Sequence, residues 1–211
     1  MKIPRPVSLT PKELIILDVQ GCSLCARMLQ SRRVLSEHNG DWNAEVLFVA
    51  EAPGRLGAEI TGIPLSGDRT GDRFDELLAK MRWARSDIFL TNAVLCNPRD
   101  QKGNNDKPSN AEIRNCSEFL SRTIDLVDPK LVVALGRVAL GVLRTIRPHN
   151  CNLKGCCGRI IPWGDRHLGV LYHPSPLSQT QRAWTLQMKD AESLALFAKE
   201  QLGIRPSRQQ I

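Results

Sequence analysis

Three polar residues of different chemistry stand directly after short apolar runs: Glu51 after 46–50, Asn92 after 88–91 and His173 after 169–172. A carboxylate can hold a water or stabilise a cation. A carboxamide offers one donor and one acceptor, and a neutral imidazole can donate to a developing anion. Each has an ordinary structural use as well: a glutamate satisfies loop amides, an asparagine caps a turn, a lone histidine packs. Their shared placement is what matters, because ligands of open α/β sheets bind outside the carboxyl ends of the strands. If the runs are neighbouring parallel strands, all three side chains meet on one edge.

The elements that must position them are legible. The runs 46–50, 88–91, 131–135 and 169–172 are of strand length and rich in Val, Ile, Leu or Phe, as in strands buried on both faces. Helical spacing lies between and after them. Phe74, Leu77, Leu78 and Met81 share one face. Ser109 and Glu112 form a capping box, opening a helix with Ile113, Cys116, Leu120, Ile124 and Val127 on one side. Further helices span 137–146 and 188–202, the latter with Leu194, Ala195, Ala198 and Leu202 in phase. Strands alternating with helices predict an α/β three-layer sandwich with a central, mostly parallel four-stranded sheet. The third run ends in Gly136, suited to a close backbone turn. Residues 97–110 form a polar loop, and the tail 204–211 is expected to be flexible.

The chain has 211 residues, 42% hydrophobic and 24% charged, which suits one soluble domain with a real core. No stretch reaches the roughly 20 apolar residues of a membrane span, and residues 1–6 lack the apolar stretch of a secretory signal. A cytoplasmic, intracellular protein without membrane contact is expected. The net charge of +7 favours an anionic partner, nucleic acid above all. Seven cysteines in a reducing compartment point to a metal or cluster site rather than a disulfide framework.

The motifs carry a family resemblance. The run 49–54 (VAEAPG) followed by 62–68 (GIPLSGD) resembles the first motif of uracil-DNA glycosylases of families four and five. Its opening is similar to family four, and its spacing and the 61–68 section to family five. The run 91–98 (TNAVLCNP) resembles the segment bearing the base-reading asparagine and a cluster cysteine in both. The hexapeptide 173–178 (HPSPLS) resembles the second motif of the superfamily in its family-one form, in which the leucine enters the DNA stack. The segment 180–188 is again similar to family five.

The resemblance implies a DNA base-excision repair enzyme that flips out uracil, or another deaminated base, and hydrolyses its glycosidic bond, leaving an abasic site. It also implies a 4Fe-4S cluster on Cys22, Cys25, Cys96 and Cys116, with residues 11–34 as a cluster-binding arm. A four-cysteine zinc site is the alternative. Cys151, Cys156 and Cys157 are a poor ligand set and read as ordinary thiols.

In this scheme His173 donates to the leaving base and Asn92 reads it. Glu59, aided by Glu51, positions water or stabilises the sugar cation, with Asp68 as a third carboxylate. Pro174 and Pro176 stiffen a loop carrying Leu177 as wedge. Ser175, Ser178 and Arg182 face phosphates, as do Arg55 and Arg69. Three base-binding positions depart from relatives: Ala52 replaces the family-one catalytic aspartate, Gly54 a bulky tyrosine, and Leu65 a stacking phenylalanine. A monomer acting on DNA is expected. Those departures leave open a second reading, an iron–sulfur DNA-binding protein with little glycosylase activity. A zinc-stapled nucleic-acid adaptor is a third.

Overall fold

The computed structural model describes residues 9–206. The N-terminal segment 1–6 and the last part of the tail, 207–211, lie outside the described residues. The helices are α1 (Pro11–Gln20), α2 (Ala58–Thr61), α3 (Arg69–Met81), α4 (Asn110–Val127), α5 (Arg137–Ile146), α6 (Leu153–Cys156) and α7 (Trp184–Leu202). The strands are β1 (Val46–Ala50), β2 (Ile88–Asn92), β3 (Leu131–Leu135), β4 (Ile160–Trp163) and β5 (Arg166–Leu171).

The sheet order is β2-β1-β3-β5-β4, and every pairing is parallel except β4 with β5. β1, β2 and β3 are buried along their whole length. That requires apolar cover on both faces, and alternate residues divide between two cores. Leu47, Val49, Phe89, Val132 and Ala134 pack beneath α1, α4 and α5. Val46, Phe48, Leu90, Val133 and Leu135 pack beneath α3 and α7. The result is the three-layer sandwich expected from the sequence.

The sheet has five strands rather than four. β4 gives no strand signal in the sequence because only Trp163 of its residues is buried and Pro162 interrupts the run. A proline is tolerated there because β4 is an edge strand. Gly164, at φ +67°, and Asp165 form the two-residue turn into β5. β5 therefore begins three residues earlier than the run at Gly169 implied.

The other edge is flanked as well: Gly40 bridges Phe89 antiparallel, and Asp41 N–H donates to Ile88 O at 3.0 Å. α7 starts at Trp184 rather than 188, and it ends where Gly203 turns into the left-handed region at φ +69°. The tail is not free at its start: Ile204 is 3% exposed and packs on the α3–α7 core. Cys151 and Cys156 are joined in a disulfide, which corrects their reading as ordinary thiols. The turn of α6 brings their Cα atoms to 5.7 Å, within bridging range. Cys157 remains a thiol. Among the described residues no helix is long and apolar enough to cross a membrane.

Candidate functional site

β1 and β3 leave the sheet in opposite directions of strand order, so the topological switch point lies between them. Glu51 follows β1, Asn92 ends β2, Gly136 follows β3 and the His173 loop follows β5. Backbone bonds draw these ends together. Ala93 N–H donates to Ala50 O at 2.8 Å, Val94 N–H to Glu51 O at 3.1 Å, and Gly136 N–H to Leu171 O at 2.8 Å. Gly136 is needed for the last approach: its φ is +91°, and a methyl there would stand 3.1 Å from His173 Cβ.

The His173 ring lies deep in the fold, although the residue keeps an opening to solvent. Burial pushes its pKa down to about 4, against the opposing pull of Asp68. The imidazole is therefore neutral near pH 7. Ser175 N–H donates to Nδ1 at 3.2 Å, so the ring proton belongs on Nε2. Asn92 is 1% exposed, and its amide nitrogen has no partner among the described residues. A buried donor left open costs about 1–3 kcal/mol unless a ligand completes it.

The three carboxylates differ. Burial raises the Glu51 pKa, against the pull of Lys107. Glu59 bonds to arginine groups: one oxygen accepts from the Arg32 backbone N–H at 3.1 Å and from Arg99 Nη2 at 3.2 Å, while the other is buried without a partner among the described residues. Asp68 caps α3, its Oδ1 accepting from Thr70 N–H and Gly71 N–H, both at 3.0 Å. Its Oδ2 lies against the Gly54–Gly57 loop: a methyl at Gly54 would stand 3.1 Å away, and one at Gly57 only 2.6 Å. Asp68 is also the charge His173 feels. Glycine at 54 thus makes room for a carboxylate.

Leu65 is 8% exposed with φ at +46°, a costly backbone for leucine. It is held there by Arg85, which donates to the carbonyls of Pro64 and Leu65 and pairs with Asp75. Ala52 packs towards Met28, Val94 and Cys116, on the cysteine side of its loop.

Pro174 is buried and Leu177 is 82% exposed, a projecting apolar tip. Two residues expected on phosphates are committed inward. Ser178 is buried, its hydroxyl donating to Ser175 O at 2.8 Å and accepting from Gln187. Arg182 forks onto Asp190. Arg55 and Arg69 make no side-chain hydrogen bond or ion pair with a described residue.

Cys22, Cys25, Cys96 and Cys116 line one cavity with Met28 and Arg33. Burial and the neighbouring sulfurs push Cys96 up to about 12 and Cys116 up to about 11. Arg33 donates to Cys22 O, and Asn115 Nδ2 to Cys25 Sγ at 3.4 Å. Among the described residues no group of three or more His, Cys, Asp or Glu is arranged to hold a metal ion.

Arg27, which gave no sequence signal, knits this arm to the 97–110 loop. It donates to both Glu112 oxygens at 2.5 and 2.7 Å, to Asp106 at 2.7 Å, and to the carbonyls of Arg99 and Lys107. The loop in turn clasps the Glu51 loop. Asn97 Nδ2 donates to Pro53 O, and Asn105 Oδ1 accepts from Arg55 N–H at 2.9 Å.

Comparison with known proteins agrees with this architecture. A type-4 uracil-DNA glycosylase of Thermotoga maritima is 28% identical over 192 residues, covering 90% of this chain and 95% of its own. That of Archaeoglobus fulgidus is 28% identical over 76% of this chain and 80% of its own. A type-5 uracil-DNA glycosylase of Thermus thermophilus is 27% identical over 78% and 87%. The family model described as the Uracil DNA glycosylase superfamily matches residues 37–197, and the chain belongs to that superfamily.

Proposed function

We propose that the protein is a monofunctional DNA glycosylase that removes uracil by hydrolysis. The observation that carries this reading is the pairing of a neutral, Nε2-protonated His173 with the open amide of Asn92 on one sheet edge. Uracil presents a carbonyl beside an N–H. Asn92 would donate Nδ2–H to that carbonyl and accept from the N–H through Oδ1. Cytosine would set an amino group against the Asn92 donor, leaving buried groups unpaired, which discriminates strongly.

As the N1–C1′ bond breaks, its electron pair passes to the base and charge grows on the oxygen beside N1. His173 Nε2–H donates there, and the bond strengthens as charge develops. The sugar cation is completed by a water oxygen. Of the three carboxylates, we assign that water to Asp68: its Oδ1 accepts from two backbone N–H groups, which would leave Oδ2 to accept the water proton. Glu59, paired with Arg99 and accepting from the Arg32 backbone N–H, braces the loop instead. Leu65 forms an apolar wall for the base, and Leu177 fills the gap that flipping leaves in the duplex. Arg55 and Arg69 neutralise phosphates, whereas Ser178 and Arg182 hold the loop.

We read the four-thiol cavity as an iron–sulfur site: Cys22, Cys25, Cys96 and Cys116 line it together, and four thiolates are the usual ligand set of such a cluster. Bound there, a 4Fe-4S cluster would supply cross-linking, tying the 11–34 arm to the end of β2 and to α4 within one domain. The protein would act as a monomer on chromosomal DNA inside the cell.

The test uses purified protein on uracil-, hypoxanthine- and xanthine-containing oligonucleotides, followed by alkali. Scission that disappears in His173→Ala and Asn92→Ala is expected. Binding without scission on every substrate would overturn the reading. Visible absorbance with about four irons per chain, lost in Cys116→Ser, is expected of the cluster; a colourless protein releasing zinc refutes it.

A further inference from the structure

The loop carrying His173 and Leu177 is tied to α7 by a side chain without a charge or a motif to mark it. Gln187 is 2% exposed, one turn into the helix. Its Nε2 donates to Ser178 Oγ at 3.0 Å and to Arg182 O at 2.8 Å. Ser178 Oγ donates to Ser175 O at 2.8 Å, and Ser175 N–H donates to His173 Nδ1 at 3.2 Å.

The direction of every bond in this chain is fixed by chemistry. A backbone N–H can only donate, so Nδ1 of His173 must be the bare nitrogen. The Ser178 hydroxyl has one proton and spends it on Ser175 O, so the group facing its lone pairs must be a donor. The amide of Gln187 supplies that donor. The cost is visible: Gln187 Oε1 is buried without a partner among the described residues. A methionine would fill the same volume without that open acceptor, so burial alone does not explain glutamine here.

The surroundings keep the relay from sliding. Arg73 lies 4.6 Å over the Trp184 ring, just before Gln187. Three residues on, Asp190 receives the Arg182 fork and the Cys157 thiol at 3.2 Å. The 176–180 turn is thus held to α7 through Ser178 within it and Arg182 just after it.

We infer that Gln187 is a positioning residue that holds His173 as its Nε2–H tautomer through Ser178 and Ser175. The inference rests on the reading of His173 as donor to the departing base. It adds that the tautomer is set from α7, four residues beyond the loop, and not by the loop alone.

Two variants and two readouts test it. Nitrogen-15 imidazole spectra, with His173 assigned by its loss in His173→Gln, should show a single Nε2–H tautomer in the unmodified protein. Gln187→Met and the smaller change Ser178→Ala should both give a tautomer mixture. On a single-stranded uracil oligonucleotide, where Leu177 has no duplex gap to fill, the single-turnover rate at saturation should fall about tenfold in each, with little change in KM. In a His173→Ala background, Gln187→Met should cost nothing further, as expected of residues acting as one unit. An unchanged His173 spectrum in both variants overturns the relay, as does the same tenfold loss without His173. If the unmodified protein excises no base from any substrate, the glycosylase reading fails instead, and the imidazole spectra alone then decide the relay.

Discussion

Arg27 spends all five of its N–H donors on neighbours, whereas the carboxyl edge of the sheet keeps polar groups in reserve. Around Arg27, Glu112 also closes the capping box of α4 with Ser109, and the guanidinium holds its pKa down to about 2. At the sheet edge, Asn92 buries an unpartnered amide nitrogen, and Thr91 beside it an unpartnered hydroxyl. One region is saturated and the other is not. A saturated network fixes geometry, while an unsaturated one waits for a ligand whose own donors and acceptors complete it. The protein places the first directly behind the second, joined by the 97–110 loop.

The sharpest way to break this contrast is at His173. His173→Ala should lower uracil excision about a thousandfold in single-turnover assays, with thermal unfolding nearly unchanged. If unfolding collapses while the rate per folded molecule survives, the open edge is a structural feature after all. Arg27→Met should do the reverse. It strands Glu112, whose side chain is 9% exposed, and should cost about 3 kcal/mol in denaturant titrations, at the low end for a broken buried pair because Arg27 is a third exposed. The double variant Arg27→Met/Glu112→Leu should recover most of that loss, and excision per folded molecule should not change.

The third prediction concerns pH. The folded pKa of His173, about 4, lies below the unfolded value near 6.5. The unfolded chain therefore binds more protons between those values. The contribution is fully present above pH 6.5 and is lost as pH falls towards 4, reaching about 2 kcal/mol by pH 5. Denaturant midpoints measured against pH should show this slope, and His173→Gln should flatten it. The smallest effect is expected at Leu177. Leu177→Ala should slow excision about tenfold on duplex and leave single-stranded substrate unaffected; an equal loss on both would deny it a wedge role.

The sheet edge was legible because its signals are local. A strand is a run of apolar residues, and the group at its carboxyl end is simply the next residue in the chain, which is why Glu51, Asn92 and His173 can be placed from the sequence. The capping box at Ser109 and Glu112 was legible for the same reason, being four residues long. The hub was not, since Arg27 and Glu112 are 85 residues apart and neither spacing nor periodicity links them. Glu59 reads as a catalytic carboxylate from its motif, whereas its bonds to the Arg32 backbone N–H and to Arg99 come from distant stretches of chain and carry no local signal. β4 was hidden by Pro162, and the Cys151–Cys156 pairing by the general expectation of reduced thiols. Ser178 in its motif and Arg182 beside it read as phosphate contacts in sequence, yet their side chains turn inward because Gln187 and Asp190 of α7 stand behind them.

The edges of the sheet bear on behaviour far from the site. A net charge of +7 would concentrate a DNA-acting protein along its polyanionic substrate. Open strand edges at such density invite chain-to-chain pairing. β4 offers a poor template, since Pro162 removes one ladder donor, and β2 is already flanked by the segment that runs through Gly40. Crowding on the substrate therefore need not become aggregation.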